Sequence, residues 1–256
     1  MRDYYSVMMP PYEPTSGGIK VMWGLYGALL AKGQITYANA TSENKNFTAI
    51  YPEIYPNTNP AGAKTVVRYI LREPGTMALY GVPGPTAFDP KDKIYVFSRL
   101  YDTFGVDDDH ILFLPVIDTN LFYDKGRKRT KTCFYVGHGQ ETEHPDDWLE
   151  LSREIISNQS LLADTLNECE VMHSFDPVSA MMEVARLCGC RVVISPSLYT
   201  REQFAKYEPG MNGISWGPGE SVPLDSREFR RHYLGLRQQF WDKLDLFIKE
   251  TKNETD

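Results

Sequence analysis

One stretch constrains the fold more than any other: His173-Ser-Phe-Asp-Pro-Val-Ser-Ala-Met-Met-Glu-Val-Ala-Arg-Leu-Cys-Gly-Cys190, followed by Arg191-Val-Val-Ile-Ser195. It reads as a loop, a capped helix and a buried strand. Asp176 suits an N-cap, and Pro177 stands where proline is tolerated, at the first helical position. Gly189 supplies a left-handed stop. Val192, Val193 and Ile194 form a short apolar run of the kind buried on both faces of a parallel sheet. The helix is apolar nearly all round, with Ser179, Glu183 and Arg186 as a single polar stripe at spacings of four and three. Its start offers N–H groups and a positive dipole end to an anion. A carboxylate further along the same face can accept from sugar hydroxyls. Together these are the parts of a nucleotide-sugar site.

The other properties of the chain narrow the class. It has 256 residues, with 42% hydrophobic and 24% charged residues and a net charge of −7. That length supports one large domain or two small ones. The acidic balance argues against nucleic acid as a partner. No apolar run reaches the ~20 residues that span a bilayer. The opening Met-Arg-Asp-Tyr-Tyr lacks the apolar core of a secretory signal. Cys133, Cys169, Cys188 and Cys190 sit on or beside expected core elements, as reduced thiols of a cytoplasmic protein do. Cys188-Gly-Cys190 is too tight for the usual zinc spacing and has only His173 near it. No Asp-x-Asp adjoins a buried strand, and Asp107-Asp-Asp109 follows Gly105 in a polar turn. No metal site is therefore expected.

Strands are expected at Tyr4–Met9, Ile35–Ala38, Phe47–Ile50, Ile94–Phe97 and Ile111–Leu114. Helices are expected at Ile19–Ala31 and Pro60–Arg72, the latter with Val66, Val67, Ile70 and Leu71 as its apolar face. The polar, basic stretch 118–131 reads as an inter-domain linker. A second α/β pattern then starts: a strand at Thr132–Val136, the turn Gly137-His138-Gly139, helices at Asp146–Ser157 and Ser160–Glu168, and a strand at Val171–Ser174. From Asp225 the chain is strongly helical. Phe229, Tyr233, Leu236, Phe240, Leu244 and Phe247 form one stripe over more than four turns. The expected organisation is residues 1–117, a linker at 118–131, a second domain at 132–224 and a crossing helix with its tail at 225–256.

Several residues are candidates on chemical grounds. Gly137 and Gly139 remove the Cβ barrier where a strand ends, so a phosphate or sugar can approach, and His138 stands between them. Gly17 and Gly18 form the matching turn of the first half, and Glu53 follows its third expected strand. For Asp176, either a plain cap or a sugar-hydroxyl contact fits. In the cap reading the diphosphate meets the N–H groups of Val178, Ser179 and Ala180 beside it. For Glu183, a bond to ribose hydroxyls stands against an ion pair with Arg186 or Arg191. Lys125, Arg127, Lys128, Arg129 and Lys131 read as a solvated linker, with peripheral contact to an anionic membrane as the alternative.

In this order the motifs resemble the glycosyltransferases of the GT-B fold, in particular the retaining type. Ser16-Gly-Gly-Ile-Lys-Val with its helix to Gly33 looks like the family's first turn and helix. Leu114 to Phe122 followed by Cys133-Phe-Tyr-Val-Gly137 is similar to the domain crossing and the first donor-domain strand. Asp176 to Ile194 resembles the donor-binding helix. The family's paired glutamates are represented here by Glu183 alone, with Phe175 at the first position. Gln140-Glu-Thr-Glu-His144 stands where a basic pair often follows the glycine turn. The resemblance implies two Rossmann-like domains with mostly parallel sheets and a last helix returning to the first domain. It implies a nucleoside-diphosphate sugar held by Gly137, His138, Gly139, His173, Asp176, Val178, Ser179 and Glu183. Gly17, Gly18 and Glu53 fall on the phosphate or acceptor side, and the acceptor is a glycan or lipid-linked. Transfer needs no cofactor or divalent metal, and no catalytic side chain is named. Two rivals stand beside this reading. One is a non-catalytic carbohydrate-binding or scaffold protein on the same fold. The other is a nicotinamide-dependent oxidoreductase, which would need a Gly-x-Gly-x-x-Gly turn where Thr142 stands.

Overall fold

A computed structural model describes residues 3–43, 45–79, 82–176, 178–195 and 199–252. The chain divides into two units, one built from Met1–Val116 with Leu236–Asp256, the other from Ile117–Gly235. The first contains β1 (Tyr5–Val7), α1 (Gly17–Ala31), β2 (Thr36–Ala38), β3 (Thr48–Pro52), β4 (Thr65–Ile70), the hairpin β5 (Ala78–Leu79) and β6 (Val82–Pro83), and β7 (Lys93–Val96). The second contains β8 (Lys131–Tyr135), β9 (Leu149–Glu150), α2 (Arg153–Ser157), α3 (Gln159–Glu168), β10 (Cys169–Ser174), α4 (Met181–Leu187), β11 (Arg191–Ile194), α5 (Arg201–Phe204) and β12 (Ile214–Trp216). The last helix, α6 (Ser226–Thr251), starts in the second unit and ends in the first.

Each unit holds a five-stranded, all-parallel sheet, in the order β2-β1-β3-β4-β7 in the first and β9-β8-β10-β11-β12 in the second. Counted within its own sheet, each reads 2-1-3-4-5. The fold is therefore α/β and Rossmann-like in both halves.

Burial on both faces explains the apolar strands. In the first sheet Val7, Ile50 and Val67 are in register, and all are fully buried. Successive residues point to opposite faces. Val67 and Tyr69 join a core with Val21, Met22, Leu25 and Leu29 of α1, and with Phe240, Leu244 and Phe247 of α6. Val66 joins Phe47, Ala49 and Tyr51 in a second cluster. In the second sheet Met172 lies between Cys133 and Val192, and all three are fully buried.

Five local expectations are corrected. Pro60–Arg72 is not a helix: Thr65–Ile70 is the strand β4, because a β-branched run buried on both faces outweighs its helix-like spacing. Asp146–Ser157 is not one helix. Leu149 and Glu150 pair with β8 as an edge strand, and Ser152 caps the short α2. Ile111–Leu114 makes only a single bridge, from Ile111 to Val96. The stretch 118–131 packs onto the second unit. Phe122 is buried, Asn167 accepts from Lys125 N at 2.7 Å and donates to Tyr123 O, and Lys125 Nζ lies 2.7 Å from Asp164. Finally, Asp176 does not cap α4. That helix begins five residues later, after Ala180, with no side-chain cap. Pro177, expected at its first position, lies outside the described residues.

Candidate functional site

In an open parallel sheet of order 2-1-3-4-5, a crevice opens at the carboxyl ends of strands 1 and 3, where the connections depart in opposite directions. In the second unit that place lies between the ends of β8 and β10. Tyr135 and Ser174 are register partners there. The chain continues from β8 into Gly137-His138-Gly139 and from β10 into Phe175, Asp176, Val178 and Ser179. The structure thus brings most of the expected donor residues to one switch point.

The two glycines are needed for contacts within the protein. Gly137 has φ +55°, and a Cβ there would lie 2.6 Å from Asp176 Oδ2. A Cβ on Gly139 would sit 1.9 Å from the Phe175 carbonyl oxygen. The turn is closed by Gly139 N donating to Val136 O at 2.8 Å. Asp176, 2% exposed, fastens it: Oδ2 accepts from His138 N at 3.1 Å, and Oδ1 accepts from Val178 N at 3.3 Å. The carboxylate is thus an internal staple between the two loops. The Met181 N–H is taken by Ser179 Oγ at 3.2 Å. Two N–H groups at the start of this segment are therefore already engaged.

Other groups remain at the crevice. His138 is exposed. The Ser179 hydroxyl is half-buried and hydrogen-bonds the Tyr135 phenol, whose pKa is raised by burial. Tyr135 carries no signal in the sequence, where it looks like the last residue of an ordinary strand. His173 lies further back in β10. It stacks on Trp148 with ring centroids 3.8 Å apart, and burial lowers its pKa to about 4, with His144 adding to the effect. It is a neutral ring packed on an aromatic neighbour.

Glu183 is inside the unit, 2% exposed. Its Oε1 lies 3.9 Å from Arg186 Nη2, and Tyr207 hydrogen-bonds the carboxyl. Of the two alternatives for Glu183, the geometry is that of the internal ion pair. Burial raises the Glu183 carboxyl and lowers the Arg186 guanidinium, because a 3.9 Å separation offsets only part of the desolvation. Arg186 also donates to the carbonyls of Pro209, Gly210 and Asn212 and lies 4.0 Å over the Phe229 ring.

In the first unit the corresponding switch point lies between the ends of β1 and β3. Gly17 and Gly18 open α1 there, with Ser16 accepting from Ile19 N at 3.4 Å. Gly18 has room for a Cβ, so its small size is not demanded by packing. Lys20, in the first turn and half-buried, has its pKa lowered by burial. It was not singled out from sequence, since a lone lysine in an amphipathic helix carries no signal. Glu53 follows β3 and is 4% exposed. Its Oε2 accepts from Leu71 N at 2.8 Å, joining the ends of β3 and β4. Burial raises its pKa to about 7, while the backbone N–H groups of Leu71 and Arg72 act in the opposite direction.

Asp107 caps a 3-10 turn at Asp108–His110, as its polar surroundings suggest. Among the described residues no group of three or more His, Cys, Asp or Glu side chains is arranged to hold a metal ion, and no helix is long and apolar enough to cross a membrane. The four cysteines are buried and unpaired. Neither a known family model nor a curated protein matches the chain.

Proposed function

We propose that the protein is a glycosyltransferase that binds a nucleoside-diphosphate sugar at the switch point of the second unit. It passes the sugar to a glycan or lipid-linked acceptor without a divalent metal, and it works in the cytoplasm or at the edge of a membrane. The observation that carries the reading is the convergence of the 137–139 turn and the 175–179 loop at the carboxyl ends of β8 and β10. Two Rossmann-like units and a final helix that starts in one and ends in the other add support. In this reading the exposed His138 and the hydroxyls of Tyr135 and Ser179 meet the donor. Asp176 positions the turn through its backbone N–H bond, and Glu183 supports the site from inside. Gly17, Gly18 and Lys20 serve the first unit's own crevice.

A second reading, a non-catalytic carbohydrate-binding or scaffold protein that retains the fold without the chemistry, is favoured by one observation. The two carboxylates best suited to sugar hydroxyls, Glu53 and Glu183, are both turned inward. Calorimetry separates the readings. UDP-, GDP- and dTDP-sugars are titrated into the wild type and Ser179→Ala, and sugar release or transfer is then measured in EDTA. The proposal expects one nucleotide sugar to bind, to bind roughly three- to tenfold more weakly to the variant after loss of a hydrogen bond, and to turn over in EDTA. Binding of free glycans alone, or of no sugar ligand, supports the second reading. Activity that returns only with manganese contradicts the metal-free mechanism.

A further inference from the structure

A concavity in Ile117–Gly235 has no part in the site described above. It measures about 350 Å³ and lies between the 119–124 loop, the end of α4 and the first turns of α6. It sits at the other end of the sheet from the crevice. Leu187 on its wall closes α4 just before β11 begins, and Asp124 packs against Gly189.

Its charge is uneven. Arg227 and Arg230 are three residues apart on α6 and so lie on the same side of the helix. Among the described residues neither has a carboxylate within ion-pair distance. Arg230 Nη2 makes one long bond, 3.4 Å, to the Thr119 carbonyl. Its Nε is buried and has no hydrogen-bond partner. The one acid on the wall, Asp124, is already engaged by Arg129 and by the Ser226 hydroxyl at 2.8 Å. The N–H groups of Arg227 and Glu228 are taken by Asp225 at 3.0 and 2.9 Å. The positive character of the cavity therefore comes from side chains rather than from the helix end. Tyr123, 42% exposed, supplies the accessible apolar wall, while Leu187 is fully buried.

We infer that this cavity binds a small phosphate ester with a flat apolar body. Two guanidiniums on one helix face match the several oxygens of one dianion, and Arg forks bind phosphate through paired hydrogen bonds. The exposed Tyr123 ring receives the flat group. The volume lies at the small end of the range for ligand sites.

The test is calorimetry on the whole chain at a pH above the second phosphate pKa, with phenyl phosphate as the probe. Inorganic phosphate, benzoate and benzyl alcohol are the comparison ligands. Expected is a Kd of ~1 mM or tighter for phenyl phosphate, weaker binding of inorganic phosphate and benzoate, and none of benzyl alcohol. Arg230→Gln and the exposed, fold-neutral Arg227→Gln each weaken phenyl phosphate by about tenfold or more. Ser179→Ala, at the other crevice, leaves its affinity unchanged. The inference is overturned if phenyl phosphate does not bind, or if benzoate binds tighter. It is equally overturned if Arg227→Gln binds as the wild type does, or if Ser179→Ala removes the binding.

Discussion

Glu53 illustrates how one buried carboxyl shapes the behaviour of the chain. It is 4% exposed, and burial raises its pKa to about 7. An unfolded glutamate titrates near 4.3. The folded state thus holds the proton more tightly. Its contribution is intact below the unfolded pKa and is lost as pH rises through about 7. Glu183 shifts in the same direction, so the two add. Glu53→Gln keeps an acceptor for Leu71 N and has no charge to desolvate. Urea unfolding at pH 5 and pH 8 should show the wild type losing on the order of 2–3 kcal/mol more than Glu53→Gln across that interval. Parallel losses in the two proteins would show that Glu53 does not titrate this way. At this scale the sequence was a partial guide. It identified Glu53, Asp176 and Glu183 as notable residues, because carboxyls at strand ends or on apolar helices stand out. It did not show which way they point. Asp176 has the composition of a cap yet binds His138 N across 38 residues, and nothing local announces that partner.

Among the elements, α6 was the most legible and β4 the least. The stripe Phe229, Tyr233, Leu236, Phe240, Leu244 and Phe247 is buried throughout, and the helix runs Ser226–Thr251. Its end is fixed to the first sheet by polar contacts. The Thr251 and Tyr5 hydroxyls are 3.0 Å apart, Thr48 Oγ1 donates to Thr251 O at 2.6 Å, and Tyr95 donates to Glu250 at 2.6 Å. Residues more than 150 positions upstream thus complete the helix. Phe240, 1% exposed, fills the core beneath α1 and β4. Phe240→Ser should cost about 3–5 kcal/mol, as large-to-small core changes at Phe do, and should lower the denaturation midpoint of the first unit. A loss below ~0.5 kcal/mol, the usual effect of a surface change, would show that the helix does not share that core. The sequence of β4 suggests a helix because Val66, Val67, Ile70 and Leu71 also satisfy helical spacing. Only its pairing with β3 and β7 distinguishes the two. β9 and β12 are two and three residues long, too short to carry a period.

For the whole molecule, the alternation of strands and helices made an α/β protein in two halves readable from sequence. The shared 2-1-3-4-5 order was not, because strand order depends on contacts between segments far apart in the chain. That order is nevertheless what brings Gly137-His138-Gly139 and Ser179 to one crevice. In the proposed function this crevice receives a nucleoside diphosphate. Hydrogen exchange with UDP, GDP or dTDP against NAD tests it most directly. One of the diphosphates should slow exchange in residues 134–139 and 173–183, and NAD should not. Equal protection by NAD, or protection confined to residues 3–116, would contradict it.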